Sequence, residues 1–122
     1  MDALGSRRTA KQVEGQAGED AALDHLRKSG LKLVERNFRC KAGEIDLIMQ
    51  EGSTLVFVEV RKRSNPRFGG AAASVTWQKQ RRLIRAAQFY LLRFRDPPPC
   101  RFDVVALEAG QTNWLRNAIE AG

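Results

Sequence analysis

Residues 43–61 read GEIDLIMQEGSTLVFVEVR, two runs of β-branched and other apolar residues on either side of a short polar segment. Two such runs separated by a turn signal predict a β-hairpin. The turn signal lies at residues 50–53, and we expect Glu51 and Gly52 to form its two-residue loop. The rest of the chain is interpreted outward from this hairpin.

The hairpin places acidic side chains on one face of the predicted sheet. In the register set by that loop, Asp46 faces Phe57 and Glu44 faces Glu59. Side chains alternate along a strand, so these four residues and Arg61 share a face. Asp46 and Glu59 are then diagonal neighbours, with Cα atoms roughly 7–8 Å apart. Two carboxylates converging on a buried face are costly unless a proton, a cationic side chain or a metal compensates them, so the pattern indicates a site.

The composition is that of a globular and strongly basic domain. The 122 residues are 43% hydrophobic and 29% charged, unlike a disordered chain. Lys and Arg outnumber Asp and Glu by 21 to 14, which gives a net charge of +7 and a pI near 10.1. So basic a small domain indicates a polyanionic partner, nucleic acid before a membrane surface.

The cysteines and the hydropathy bear on the cellular compartment. Cys40 and Cys100 have neither metal-ligand spacing nor a disulfide framework around them, which favours free thiols in a cytoplasmic protein. No run approaches ~18 apolar residues, and the N-terminus lacks the apolar segment of a secretory signal. We therefore expect neither a membrane span nor export.

The remaining elements surround the hairpin. We expect a flexible basic N-terminal arm over residues 1–14 and a single domain over 15–122. The domain is predicted to contain a helix over 15–29 closed by Gly30, a strand over 31–38, the hairpin, a helix over about 74–94, a strand over 101–107 and a short terminal element from 111. This order predicts an α/β fold whose mixed sheet is covered by one helix on each face.

Each predicted helix directs one charged side chain toward the sheet. Glu19 lies three residues before Ala22 and seven before Leu26, so it shares the inward stripe of the first helix. Snorkelling or capping by Glu19 is the alternative. Lys79 extends the inward stripe of the second helix one turn beyond Leu83, which points its amine toward the carboxylates.

Basic side chains follow the hairpin in a loop and continue along the second helix. A solvated face is the ordinary explanation, but phosphate binding uses the same residue type. The candidate nucleic-acid contacts are Arg63, Arg67, Arg81, Arg82 and Arg85.

Two carboxylates and a nearby cation suit one type of reaction. Mg²⁺ and Mn²⁺ take oxygen ligands, for which Asp46, Glu59 and the carbonyl of Val60 are the candidates. Glu19 is a candidate for holding a metal-bound water or a second metal, and Arg61 for stabilising charge on the phosphate. The chain's single histidine has no nucleophile near it in sequence. Metal-assisted phosphodiester hydrolysis is the reaction that fits.

Four blocks of the sequence carry a resemblance to a known family. These are GEIDLI (43–48), LVFVEVR (55–61), GGAAASVT followed by Lys79 (69–79), and RFDVVA (101–106). Together they resemble the YraN-like family of small bacterial proteins, over roughly residues 15–118. That family is placed in the PD-(D/E)XK, restriction-endonuclease-like superfamily, close to archaeal Holliday junction resolvases. The resemblance implies an αβββαβ core and DNA, before RNA, as partner.

The resemblance also assigns roles to individual residues. It maps the two metal-binding acids of the superfamily onto Asp46 and Glu59, and the helix-borne acid of resolvase-like members onto Glu19. Arg61 stands where the superfamily normally has Lys. Since Arg stays protonated, it supplies fixed charge and bidentate phosphate contact but no base. Lys79 is then the candidate amine.

Three functional hypotheses remain open from the sequence. The first is a Mg²⁺-dependent nuclease acting on branched or structured DNA. The second is a non-catalytic nucleic-acid-binding module that keeps the nuclease scaffold. The third is an interaction protein whose inward acids are paired with Arg61 and Lys79. Glu44 is either a further ligand or a partner of Arg61 or Arg63. Nuclease relatives that cut two strands often work as dimers, so a homodimer is also allowed.

Overall fold

A computed structural model describes residues 9–63, 75–108 and 110–120 of the chain. Its helices and strands are α1 (Ala10–Lys28), β1 (Lys32–Cys40), β2 (Gly43–Glu51), β3 (Thr54–Arg63), α2 (Trp77–Leu91), β4 (Cys100–Glu108) and β5 (Gln111–Ile119). Neither helix combines the length and apolarity required to span a bilayer within these described residues.

The strands form one five-stranded sheet in the order β1-β2-β3-β4-β5. β3 and β4 are parallel, whereas the other neighbouring pairs are antiparallel. A parallel pair requires a crossover connection, which contains α2. This arrangement confirms the predicted αβββαβ core with a mixed sheet and two flanking helices. β5 is a full edge strand where a short terminal element was expected.

Each helix covers its own face of the sheet, because the buried side chains of each strand divide between two clusters. The cluster on the α2 side includes Ile48, Phe57, Leu83, Tyr90 and Phe102. The cluster on the α1 side includes Ala22, Leu26, Leu47, Val58 and Val105. The alternation predicted for the hairpin is therefore observed for most of its length.

Helix α1 begins earlier than predicted and ends as predicted. It starts at Ala10, so residues 10–14 of the predicted arm are helical, while residues 1–8 lie outside the described part. At the other end, Gly30 has φ +99°. Its N–H bonds the carbonyl of Arg27 at 3.0 Å, and the N–H of Leu31 bonds that of Leu26 at 3.1 Å. This is a Schellman motif, which favours glycine at the left-handed position.

Helix α2 is shorter than the predicted span of 74–94. The hydroxyl of its N-cap, Thr76, accepts a hydrogen bond from the N–H of Lys79 at 3.2 Å, which fixes the start at Trp77. After Leu91 the backbone bonds run to the third residue back, including Phe94 N–H to Leu91 at 3.1 Å. The helix therefore tightens and ends before the prolines that were expected to terminate it.

The β2–β3 turn differs from the prediction by one position. Glu51 pairs with Thr54, so the loop consists of Gly52 and Ser53 instead of Glu51 and Gly52. Gly52 has φ +60°. A two-residue hairpin loop requires positive φ at its first residue, which glycine adopts without strain and glutamate does not. The observed register therefore differs from the predicted register by two residues. A difference of two leaves every side chain on its predicted face.

Strand β1 continues to Cys40, beyond the predicted end at residue 38. Arg39 pairs with Glu44 and Cys40 with Gly43, so residues 41–42 alone make the turn. A Cβ atom at Gly43 would lie 2.8 Å from the carbonyl oxygen of Arg82. Glycine is needed at position 43 because the β1–β2 turn packs against the backbone of α2. This contact holds the helix over the N-terminal end of β2.

Asp103 is a buried carboxylate with a structural role. It is fully buried in β4 and accepts hydrogen bonds from Trp114 Nε1 and the backbone N–H of Asn117, both at 2.8 Å. Arg101 Nε donates to it at 3.1 Å. Asn117 has φ +52°, and the β4–β5 register shifts at Asp103. The carboxylate of Asp103 therefore stabilises the irregular pairing of β4 with the edge strand β5.

Asp103→Ala is expected to lower the free energy of unfolding by about 2–4 kcal/mol. It leaves the donors of Trp114 and Asn117 without their acceptor and removes one of the two carboxylates that pair with Arg101, the other being Glu51 at 2.7 Å. Urea denaturation followed by circular dichroism measures the change. Asp96→Ala, at an exposed position, is the control and should change stability little. Equal stability of the two variants would contradict the structural role of Asp103.

Candidate active site

Asp46 interrupts the hairpin where β2 and β3 separate. The paired positions end at Leu47 and Val58, and the next donor along β3, Val60 N–H, bonds Asp46 Oδ2 at 2.8 Å. Asp46 and Glu59 are the next residues after the last pair, and their carboxyl groups are hydrogen-bonded to each other. The two acids are therefore direct neighbours, and their predicted diagonal relationship is corrected by the two-residue shift in register.

The backbone of β2 is irregular around Asp46. Ile45 and Ile48 both pack on the α2 side, although strict alternation puts residues three apart on opposite faces. Leu47 packs on the α1 side. The carboxylate of Asp46 therefore accepts the hydrogen bond from Val60 N–H. In a regular antiparallel pair, a backbone carbonyl of β2 would accept it.

The two acids lie in a cleft of about 450 Å³ between the sheet and α2. Its acidic lining consists of Glu44, Asp46 and Glu59, and half of its other lining residues are cationic. The other lining residues are Arg39, Cys40, Gly43, Val60, Arg61, Lys79, Arg82 and Leu83. The structure therefore brings together the hairpin acids, Arg61 and Lys79, as predicted.

The two central carboxylates have perturbed ionisation. Burial, together with the negative charge of Glu59, raises the pKa of Asp46 to about 7. Burial also raises the pKa of Glu59, against the opposing effects of its hydrogen bond with Asp46 and the charges of Lys79 and Arg61. Such a pair titrates as a unit. A proton on the pair relieves the repulsion between the two carboxylates, and a bound cation would do the same.

The free energy of unfolding is expected to fall as pH rises from about 4 toward 8. In this window the folded state holds a proton on Asp46, whose pKa rises from 3.8 to about 7, and the unfolded state does not. The contribution is thus fully present below pH 3.8 and lost through pH 7, with a limiting slope of about 1.4 kcal/mol per pH unit.

Urea denaturation at pH 5 and pH 8, compared with Asp46→Asn, isolates this contribution. The variant should lose stability less steeply than the wild type as pH rises. Parallel curves for the two proteins would contradict the raised pKa of Asp46.

Two cations approach Glu59 from different elements. Arg61 lies two residues further along β3, with Nη1 3.6 Å from Glu59 Oε2. Lys79 lies in the first turn of α2, exposed and at the cleft wall, and its charge lowers the pKa of Glu59. Both positions agree with the sequence-based predictions.

Glu44 makes a different ion pair from those predicted. Its Oε2 lies 3.3 Å from Arg39 Nε. The alternative partner Arg61 instead lies beside Glu59, and the side chain of Arg63 is outside the described part. Arg39 was missed because we expected a turn there. A two-residue turn at 41–42 would have placed it across from Glu44 and on the cleft.

Glu19 lies on α1, whose side chains pack against the opposite side of the sheet, and it is not part of the cleft lining. Arg36 Nη2 lies 3.5 Å from its Oε1, and the amide nitrogen of Asn37, suitably oriented, lies 3.2 Å from both oxygens. Burial and the charge of Asp46 raise the pKa of Glu19. Glu19 is therefore within electrostatic range of Asp46. Its partners on β1 gave no recognisable sequence signal.

The donor set suits a hard divalent cation held by few protein ligands. Among the described residues, no three His, Cys, Asp or Glu side chains are grouped to hold a metal ion. Mg²⁺ commonly uses one or two carboxylates and keeps several waters, so Asp46 and Glu59 are a sufficient pair. Ligation by the Val60 carbonyl or by Glu19 stays a prediction.

The structure describes the side chains of three of the five arginines that were predicted to contact phosphates. Arg82 lines the cleft and is exposed, as is Arg85 further along α2. The guanidinium carbon of Arg81 lies 5.8 Å from the centroid of the Trp77 ring. The Arg63 side chain and all of Arg67 lie outside the described residues.

Sequence comparison places this geometry in a family. The model of the uncharacterised protein family UPF0102 matches residues 18–107, which include Glu19 and the entire cleft lining. The chain belongs to the UPF0102 family. This confirms the resemblance to the YraN-like family. The UPF0102 protein of Herminiimonas arsenicoxydans is 65% identical over 93% of this chain and 92% of its own length.

Two further members show the extent of the similarity. The UPF0102 protein of Janthinobacterium sp. (strain Marseille) is 66% identical over 93% of each chain. That of Cupriavidus metallidurans is 59% identical over 89% of this chain and 82% of its own length. These matches run nearly end to end, so the family assignment applies to the helices and sheet that build the cleft.

Proposed function

We propose that this chain is a Mg²⁺- or Mn²⁺-dependent nuclease that hydrolyses phosphodiester bonds in branched or structured DNA. The observation that carries the proposal is the pairing of Asp46 and Glu59. The two half-buried carboxyl groups are hydrogen-bonded to each other, and both have raised pKa values. They open into a cleft whose lining also includes four cationic side chains. Buried acids with strongly perturbed pKa values in a cleft are characteristic of functional sites.

In this proposal, each residue of the cleft has a different role in the reaction. Asp46 and Glu59 would hold the divalent ion, which when bound acidifies a water and polarises the phosphate. Arg61 stays protonated beside Glu59 and contacts the phosphate through its planar guanidinium. Lys79 directs an amine into the same space from α2 and is the candidate for moving a proton. Glu19 is the candidate for a second-ion or water contact from α1.

The net charge of +7 supports DNA as the partner. Arg82 at the cleft wall and Arg85 next to it on α2 extend the positive charge from the site to the surface. Such a surface binds phosphates with an affinity that falls steeply with salt. The test is cleavage of purified four-way-junction, flap and linear DNAs with Mg²⁺, Mn²⁺ or chelator.

A second candidate function is a DNA-binding module without cleavage. Arg61 in place of the usual Lys, at 3.6 Å from Glu59, is the observation that favours it. Such a protein would bind DNA in a salt-dependent way and leave it intact with every metal. The third hypothesis, an interaction protein with internally paired acids, would show neither metal binding nor salt-dependent DNA affinity.

A further inference from the structure

The solvent side of α2 carries a stripe of aromatic and cationic side chains. Trp77, Arg81, Arg85 and Phe89 follow one another at intervals of four residues. Residues four apart are neighbours on a helix surface, so these four side chains form one continuous stripe. Trp77 is 72% exposed and Phe89 56% exposed. Large aromatic side chains so exposed are expected where a partner covers them.

The charges along this stripe are of one sign. Helix α2 contains Lys79, Arg81, Arg82 and Arg85 and no acidic residue. The guanidinium carbon of Arg81 lies 5.8 Å from the Trp77 ring centroid, so positive charge lies directly beside the exposed ring. An apolar protein surface would cover the rings but leave the arginines without counter-charges.

A single nucleic-acid strand supplies both kinds of contact. Unpaired bases stack on aromatic rings and their phosphates pair with cations, whereas a continuous duplex keeps its base faces buried. We propose that the α2 stripe binds an unpaired segment of DNA. Bases stack on Trp77 and Phe89, and phosphates contact Arg81 and Arg85.

The stripe has a suitable length and a direct connection to the cleft. At 1.5 Å per residue, Trp77 and Phe89 are about 18 Å apart along the helix axis, the length of a few nucleotides. Arg82, three residues before Arg85 and adjacent to it on the helix surface, also lines the cleft. A strand on the stripe therefore passes over Arg82 into the cleft.

This inference rests on the proposed function and narrows its substrate class. The DNA that reaches Asp46 and Glu59 carries a single-stranded segment next to the bond that is cut. A flap or a frayed junction arm satisfies this requirement, whereas a blunt continuous duplex does not.

The test compares strand types under conditions that prevent cleavage. With chelator present, fluorescence anisotropy measures the affinity for a labelled oligothymidylate and for a duplex of equal length. Combining Trp77→Ala with Phe89→Ala should weaken single-strand binding by tenfold or more, since each stacked base contributes about that factor, and change duplex binding far less.

Leu92→Ala is the matched control, an equally exposed apolar residue at the end of the same helix without an aromatic ring. It should leave both affinities unchanged. Wild-type single-strand affinity in the double variant, or equal weakening toward both DNAs, would overturn the proposal. Retained single-strand affinity would point to a protein as the occupant of the stripe.

Tryptophan emission gives an independent readout. The chain has two tryptophans, and Trp114 is half-buried with its indole N–H bonded to Asp103. Oligothymidylate should quench the wild type, and Trp77→Phe should remove most of the quenching while keeping most of the affinity. Undiminished quenching in that variant would assign it to Trp114 and overturn stacking on Trp77. Because no metal is present, failure here is distinguishable from failure of the nuclease proposal.

Discussion

Asp46→Asn is expected to lower the rate of metal-dependent DNA cleavage by about 1000-fold or more. The substitution removes one of two carboxylates that would hold the ion, and the loss of several kcal/mol of charge stabilisation corresponds to that factor. The fold should persist, because the amide oxygen can still accept the 2.8 Å hydrogen bond from Val60 N–H. Single-turnover cleavage rates in Mg²⁺ measure the effect.

Stability provides the internal check on this variant. A carboxylate whose pKa is raised by burial opposes folding when it is ionised, so Asp46→Asn should be more stable than the wild type at pH 8. Asp24→Asn, on the exposed surface of α1, is the matched charge control and should change neither property. Wild-type cleavage by Asp46→Asn would show that the acids of the hairpin are not the catalytic pair.

Arg61→Ala should lower kcat by about 100-fold, the usual effect of removing one group that stabilises transition-state charge. It also removes a positive charge 3.6 Å from Glu59. In the wild type this charge offsets part of the rise that burial causes in the pKa of Glu59. The pKa of Glu59 then rises, so the variant should need a higher pH to bind Mn²⁺. Single-turnover rates and Mn²⁺ titrations at two pH values measure both effects.

Arg61→Lys is the conservative companion. It keeps the charge and restores the residue usual in the superfamily, so cleavage within about tenfold of the wild type, or above it, is expected. Wild-type kcat in Arg61→Ala would contradict a role for Arg61 in the reaction. The candidate amine of Lys79 would then be the next position to vary.

Local chemistry made most of the sheet predictable. The apolar alternation of the hairpin, Gly30 at the end of α1 and the inward stripe of α2 each fix a conformation or a face through neighbours in sequence. For this reason the convergence of Asp46 and Glu59 was predictable even though their register was not. A two-residue error in pairing leaves the faces unchanged.

Contacts between distant segments were not predictable in the same way. Arg36 and Asn37 contact Glu19 only because β1 packs beside α1. The hydrophobic periodicity of the sequence does not predict such a contact. The break in β2 around Asp46 depends on a side chain replacing a backbone acceptor. The edge strand β5 is held by Asp103 through Trp114 and Asn117, contacts that the polar pattern of residues 111–119 does not reveal.

The most direct test is cleavage of synthetic four-way-junction, flap and linear DNAs by the purified protein. Each DNA is incubated with Mg²⁺, Mn²⁺ or chelator, beside the combined variant Asp46→Ala, Glu59→Ala. We expect cleavage of the DNAs with unpaired segments that requires the metal and disappears in the combined variant. Salt-dependent binding of these DNAs with no cleavage under either metal would contradict the nuclease proposal and leave a DNA-binding module built on the same cleft.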